Sequence, residues 1–311
     1  CDMEIVQSNT AITRIDHIYA NYKSLDFFLN GRDYTQKVWV EVGFGSGLHL
    51  MHNAKKHPDV LHIGIEIHKP SAEQLLKHCK LENINNIYVI DVDARTFLEI
   101  LPSNSVEKLF VHFPVPWDKA EHRRVISRKF VDESSRILEV DGVLNLRTDS
   151  DNYALYSQNV FMSNKLVDLH VKKNFQIGVV SKYEARWQRQ EKDIYDFTLR
   201  NHETSEAKSF DYHFDFKTPH NYTVMMQNLH EHTFVQEEYL LHIQEQFPMD
   251  KGGILKLTLG VKGAPVSLYV IFDESGEINY FPHKPLPIAA NIAAHEHFLK
   301  VISDATNHPR D

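Results

Sequence analysis

Cysteine is nearly absent: Cys1 and Cys79 are the only two in 311 residues. Two cysteines build neither a disulfide framework nor a cysteine-based zinc cluster, so the expected compartment is the cytoplasm. No run of about 18 apolar residues occurs, and so no membrane-spanning helix is expected. No secretory signal peptide is recognisable either. Positive charge is in deficit too: 34 Lys+Arg stand against 42 Asp+Glu, a net charge of −8. That balance argues against indiscriminate binding to nucleic acid. The deficit is uneven. Residues 1–200 carry 26 basic and 27 acidic side chains, whereas residues 201–311 carry 8 and 15. A polyanion is therefore expected to dock on the first part. What is present suffices for real cores, since 42% of the residues are hydrophobic. The length exceeds one typical domain, so two are expected. Residue 1 is Cys rather than Met, and a fragment of a longer chain is the expectation.

The stretch Val38–Gly47 reads V-W-V-E-V-G-F-G-S-G. Its apolar run suits a buried parallel strand, and Gly43, Gly45 and Gly47 suit a tight strand-to-helix turn. A dinucleotide fingerprint has its third glycine one residue later and seats a pyrophosphate. Here Glu41 precedes the glycines and repels phosphate. It attracts instead a cation, such as the ammonium of the amino-acid part of S-adenosylmethionine. Other nucleotide sites and a purely structural turn stay open on this loop alone. Two more strands end in acids. Leu61–Glu66 offers Glu66 to ribose hydroxyls, and Ile87–Ile90 leads to Asp93, placed to meet an adenine amino group. A helix N-cap is the plain alternative for each acid. Three acids on successive strand ends together read as a Rossmann-like methyltransferase.

The alternation of strand and helix patterns from about residue 36 to 200 predicts a mostly parallel sheet in an α/β domain, after an N-terminal lead-in at 1–35. Helices are expected over Pro70–Leu81, with Leu75 and Leu76 inward, and over Arg123–Leu138, with Val125, Phe130, Val131, Ile137 and Leu138 inward. A fourth strand is expected over Val106–Phe113 and a fifth over Val143–Leu146, after an Asp141-Gly142 turn. Val171–Val179 and Ile194–Leu199 add two more, the last alternating as an edge strand does.

The fourth strand runs into Phe113-Pro114-Val115-Pro116-Trp117-Asp118-Lys119, a loop made rigid by two prolines. Lys119, Arg123 and Arg124 follow closely, with Arg128 and Lys129 beyond, either as a solvated helix face or as a phosphate-binding patch beside the methyl donor. The order E-V-G-F-G-S-G, G-I-E, D-A, F-P-x-P-W-x-K, Thr148-Asp149 and Ser181-Lys182-Tyr183-Glu184-x-Arg186 resembles the bacterial tRNA (guanine-N7-)-methyltransferase family over roughly residues 36–200. The resemblance implies a seven-stranded sheet with a reversed last strand. It implies donor contacts from Glu41, Glu66 and Asp93, and tRNA contacts from Lys119, Asp149, Ser181, Lys182, Tyr183 and Glu184. The family's loop is F-P-D-P-W, and its Asp is regarded as catalytic and donor-contacting; here that place is taken by Val115. The family's basic stretch after the loop is also longer. Guanine N7 is an unprotonated acceptor, so no base must first remove a proton. The missing carboxylate's remaining role is to stabilise charge developing on the purine, and Asp149 or Asp118 can supply it. Asp149 also reads as an N-cap. Two further readings stand beside this one: a non-catalytic RNA-binding protein, and a methyltransferase for another substrate.

Residues 201–208 are polar and read as a linker. Residues 209–311 alternate in short segments (Phe210–Phe216, Phe234–Phe247, Ile254–Val261, Leu268–Phe272, Ile278–Phe281) before a helix over Pro287–Ser303. They predict a smaller acidic α+β domain with an antiparallel sheet, of no assignable chemistry and poorly suited to RNA. His230-x-His232 and His295-x-His297 invite a metal reading, but neither forms H-E-x-x-H; surface or interface histidines and no metal are expected.

Overall fold

The computed structural model describes residues 36–90, 92–175, 192–217 and 222–307. They divide between Lys208 and Ser209 into two compact units.

In the first unit, β1 (Val38–Val42), β2 (Leu61–Ile65), β3 (Ile87–Ile90), β4 (Val106–His112), β5 (Leu138–Thr148), β6 (Leu169–Lys173) and β7 (Tyr195–Arg200) form one sheet in the order β3-β2-β1-β4-β5-β7-β6. β1 to β5 are parallel; β7 runs antiparallel to both β5 and β6. The expected seven strands with a reversed one are thus present. β7 is not an edge strand, however. Its alternation comes from two unlike sheet faces, and the exposed edge is β6.

Registered residues show those faces. Val40, Ile63, Leu109, Leu144 and Leu199 lie in one row, all buried. One step along each strand brings Glu41, Gly64, Phe110, Asn145 and Thr198 onto the other face. The apolar face is covered from α3 (Ala94–Ile100) through α4 (Arg128–Ile137) to α5 (Asp151–Met162), with Phe97, Phe130 and Phe161 fully buried. Each such ring contributes about 1.5–3 kcal/mol. On the mixed face α1 (Leu48–Lys56) lies so close to Gly64 that a Cβ there would meet Leu50 Cδ2 at 2.5 Å. α2 (Lys69–Leu81) seals the same side with Leu75, while Leu76 is half-buried.

Local signals account for the boundaries. α4 starts at Arg128, five residues later than its amphipathic pattern predicts. Ser127 caps it by accepting from Phe130 N at 3.2 Å, and a single 3₁₀ turn occupies 121–123. Val125 is only half-buried, and Leu138 opens β5 rather than ending the helix. Asp141, at φ 67°, and Gly142 bulge out within β5, where Val106 faces Leu138 but Lys108 faces Val143. Residues 201–208 lie against the first unit: the Asn201 amide donates to Leu138 and Glu139 carbonyls, and Ser205 N to Asn104 Oδ1.

The second unit is a five-stranded antiparallel meander of β8 (His232–Val235), β9 (Leu240–Met249), β10 (Gly252–Gly260), β11 (Val266–Phe272) and β12 (Ile278–Phe281) in sequence order. Two-residue alternation sends Leu255, Leu257, Leu268 and Val270 to one face, covered by α6 (Tyr222–Asn228) and α7 (Ala289–Asn307) through Met225, Ala294, Phe298 and Ile302. Residues 210–216 pair with no strand among the described residues; Phe214 packs edge-on to His295 and Tyr280. Among the described residues no helix is long and apolar enough to cross a membrane.

Candidate functional site

The strand order reverses at β1. From there β2 and β3 extend one way and β4 and β5 the other, and ligands in such sheets bind beyond the carboxyl ends of the strands at this switch point. Val42 is level with Ile65 and Val111, and Ile65 with Ile90. The residues just beyond are therefore assembled along one rim.

The glycine loop lies at its centre. Gly43, Gly45 and Gly47 all have positive φ. Among the described residues, a Cβ at Gly43 or Gly45 would meet nothing within 4 Å, so none of them covers the loop backbone at those two glycines. At Gly47 a Cβ would come within 2.6 Å of Leu75 Cδ1, where α2 packs close behind. Glu66 ties this loop to β2: its carboxylate accepts from Gly45 N and from His68 N, each at 3.0 Å. Glu41 is buried on β1 and meets His49 Nδ1 at 2.8 Å. Asp93 caps α3 through Arg95 N and holds the Arg95 side chain through both carboxylate oxygens, at 2.9 and 2.8 Å. The plain N-cap reading thus describes Asp93 as it stands, while Glu41 and Glu66 cap no helix.

On the other side of the switch point, the loop after β4 is held in an unusual backbone. Phe113 (φ 51°) and Trp117 (φ 45°) are both left-handed. For bulky residues this costs roughly 1–3 kcal/mol each and persists only where the surroundings enforce it. Two contacts do so. Phe113 N donates to Arg147 O at 2.7 Å, and Arg124 Nε donates to Pro116 O at 2.7 Å. Arg124 is buried, with its guanidinium 4.4 Å from the Tyr156 ring and 3.0 Å from Glu121 Oε1. It is therefore a strut under the loop rather than a surface cation, contrary to its expected place among the phosphate ligands. A basic residue in a basic run gives no sign of facing inward. Arg123, over the Trp117 ring at 5.0 Å, and Lys119 remain exposed. Val115 is 59% exposed at the loop's tip, and Asp118 is exposed 3.7 Å from Arg124.

Asp149 follows β5 directly. It does not cap α5; Ser150 does, accepting from Tyr153 N at 3.2 Å. The Asp149 carboxylate is partly exposed, 3.6 Å from Lys192 Nζ. Ser181, Lys182, Tyr183 and Glu184 lie outside the described residues.

A half-buried polar chain, with Arg147 wholly buried at its end, lies behind the rim and involves residues that the sequence reading does not single out. The His49 and His112 rings lie 4.5 Å apart, and His112 Nε2 donates to Asn145 Oδ1 at 2.6 Å. Asn145 donates to Asp196 at 2.7 Å, and Asp196 accepts from Arg147 at 2.6 Å. Burial, with His49 and Arg147 nearby, holds the His112 imidazole well below its ordinary pKa and hence neutral. The available signal was a polar residue recurring on every second position of otherwise apolar strands.

A family described as "Putative methyltransferase" matches residues 35–197. A tRNA (guanine-N(7)-)-methyltransferase of Wolinella succinogenes is 41% identical over 276 residues, covering 88% of this chain and 70% of the relative. Proteins of the same name from Campylobacter jejuni (strain 81-176) and Helicobacter pylori (strain ATCC 700392 / 26695) are 36% and 38% identical, over 93% and 87% of this chain and 73% and 70% of theirs. Matches of that extent reach into the second unit.

Proposed function

Because the chain belongs to the tRNA (guanine-N(7)-)-methyltransferase family, we propose that it transfers a methyl group from S-adenosylmethionine to N7 of a guanine in tRNA. The observation that carries this reading is the rim itself. Three acids stand at or just past the ends of three adjacent strands, beside a glycine loop that no described residue covers at Gly43 and Gly45, and the rigid Phe113–Trp117 loop leaves the next strand on the other side of the switch point. The same observation supports the fit of the donor. The backbone that the described residues leave bare at Gly43 and Gly45 suits a ligand lying against it, Glu41 suits its ammonium, Glu66 its ribose hydroxyls and Asp93 its adenine amino group. S-adenosylmethionine supplies, when bound, a methyl group activated on a sulfonium.

The chain's own residues have two tasks. The first is alignment. Guanine N7 needs no deprotonation, so positioning supplies much of the rate, and the strut from Arg124 to Pro116 O keeps the Phe113–Trp117 loop in one conformation. The second is electrostatic. The purine gains positive charge as its N7 bonds to the methyl, and the partly exposed Asp149 carboxylate stabilises that charge, with Asp118 in a lesser role. Lys119 and Arg123 meet tRNA phosphates. The natural compartment for this reaction is the cytoplasm.

The exposed Val115, where the family has Asp, supports one rival: a non-catalytic tRNA binder. Incubation with donor and unmodified tRNA, then mass analysis of the nucleosides, decides between them. The expected product is 7-methylguanosine, and Asp149→Ala is expected to lower kcat and kcat/KM together. Binding of donor and tRNA with no single-turnover transfer, and activity appearing with Val115→Asp, would establish the rival.

A further inference from the structure

The second unit contains a half-open cavity of about 640 Å³ between β8, the end of α6 and the last turns of α7, within the range of small-ligand sites. Three rings run along its wall. His232 lies 4.4 Å from Phe234, and Phe234 lies 4.5 Å from His297. The His297 ring is fixed by Tyr239, whose Oη is 2.8 Å from Nδ1. The ring planes are inclined at 66° and 58°, so a planar aromatic ligand can lie face-on to one ring and edge-on to the next.

The charges narrow the class. Glu231 and Asp304 bring two carboxylates to the lining against one ammonium, from Lys300. Burial and the neighbouring Lys300 push the His297 imidazole below its ordinary pKa, so the ring presents a neutral π face. The last turn of α7 adds the negative end of a helix dipole. Carboxylates beside the Phe234 and His297 rings attract a flat cation and give little to a flat neutral molecule. We propose that this cavity is a second binding site, for a planar cationic purine, namely N7-methylated guanine. The base would stack on one of the two inclined rings, Phe234 or His297, and meet the other edge-on, with Asp304 or Glu231 accepting from its N1–H and amino group. The choice of ligand rests on the proposed reaction, whose product base carries that charge. The net acidity of residues 201–311, unfavourable to bare polyanion, is compatible with reading a cationic base.

Calorimetric titration of the full chain tests this with 7-methylguanosine 5′-monophosphate and guanosine 5′-monophosphate, both without donor or tRNA. The methylated nucleotide is expected to bind about tenfold more tightly. Asp304→Asn, at an exposed position, is expected to erase most of that preference, and Phe234→Ala to abolish binding with the circular dichroism unchanged. Equal affinities, no binding of either nucleotide, or a preference that survives Asp304→Asn would overturn the proposal. The methyl-transfer assay reports separately. An inactive protein that retains the preference overturns the reaction and leaves the cavity's ligand standing. An active protein without it overturns the cavity alone.

Discussion

Replacing Arg124 separates a strut from a phosphate ligand. Its Nε bond to Pro116 O is a charged donor on a carbonyl, in a residue only 3% exposed, and is worth about 1.5–3 kcal/mol. The contact with the Tyr156 ring adds about 1 kcal/mol. The ion pairs with Glu121 and Asp118, both on exposed carboxylates, add little. Arg124→Ala is therefore expected to destabilise the first unit by about 3 kcal/mol, lowering its thermal midpoint by roughly 6–12 °C. Arg124→Lys keeps the charge but loses the planar fork, and most of the loss should remain. The discriminating assay is tRNA binding across a salt series. A strut leaves the slope of log K against log salt unchanged, whereas loss of one phosphate contact lowers it by about 1. Native thermal stability in both variants, with a reduced slope in Arg124→Ala, would refute the strut.

Three further outcomes are expected. Glu66→Ala should weaken donor binding by about 1–3 kcal/mol, since it removes a hydroxyl partner and frees Gly45 N; unchanged calorimetric affinity would dismiss Glu66 as a donor ligand. Gly47→Ala should cost about 2–4 kcal/mol in urea unfolding, because alanine is strained at φ 74° and its Cβ collides with buried Leu75. Burial lowers the His62 pKa to about 4 from 6.5. The unfolded chain therefore binds the extra proton first: stability is full above pH 6.5 and falls by up to about 3 kcal/mol as pH drops to about 4. His62→Gln should flatten that acid limb in urea midpoints measured between pH 7.5 and 4.5.

The strands ending at Val42, Ile65 and Ile90 were legible because a strand buried on both faces leaves a continuous apolar run and a glycine or acid where it stops. The rim residues Glu41, Glu66 and Asp93 were legible for the same reason. Orientation was not. Arg124 and Arg123 are adjacent and alike in sequence, and only the fold decides that one braces the loop while the other covers Trp117. Asp149 and Ser150 are both good capping residues; the backbone at the end of β5 selects the serine. The place of β7 was hidden because alternation reports unlike faces, not neighbours. His295 was expected at a surface or interface. It is wholly buried, between Tyr280 Oη at 2.8 Å and Asp215 O at 3.2 Å, and nothing local distinguishes it from its exposed counterparts.

The interior position of β7 bears on how the protein is made. Among the described residues β6 pairs with β7 alone, and β7 is synthesised after it. As the chain emerges from the ribosome, β1 to β5 can assemble in order of appearance, whereas β6 must wait as an unpaired strand. Only when residues 195–200 emerge can β7 dock on β5 and bring β6 with it. The interval is a few seconds at ordinary elongation rates of about 5–20 residues per second. During it the backbone edge of β5 is unpaired and open to pairing with another strand. A stalled or cleaved product ending before Tyr195 would lose two strands rather than one, and would carry that edge permanently.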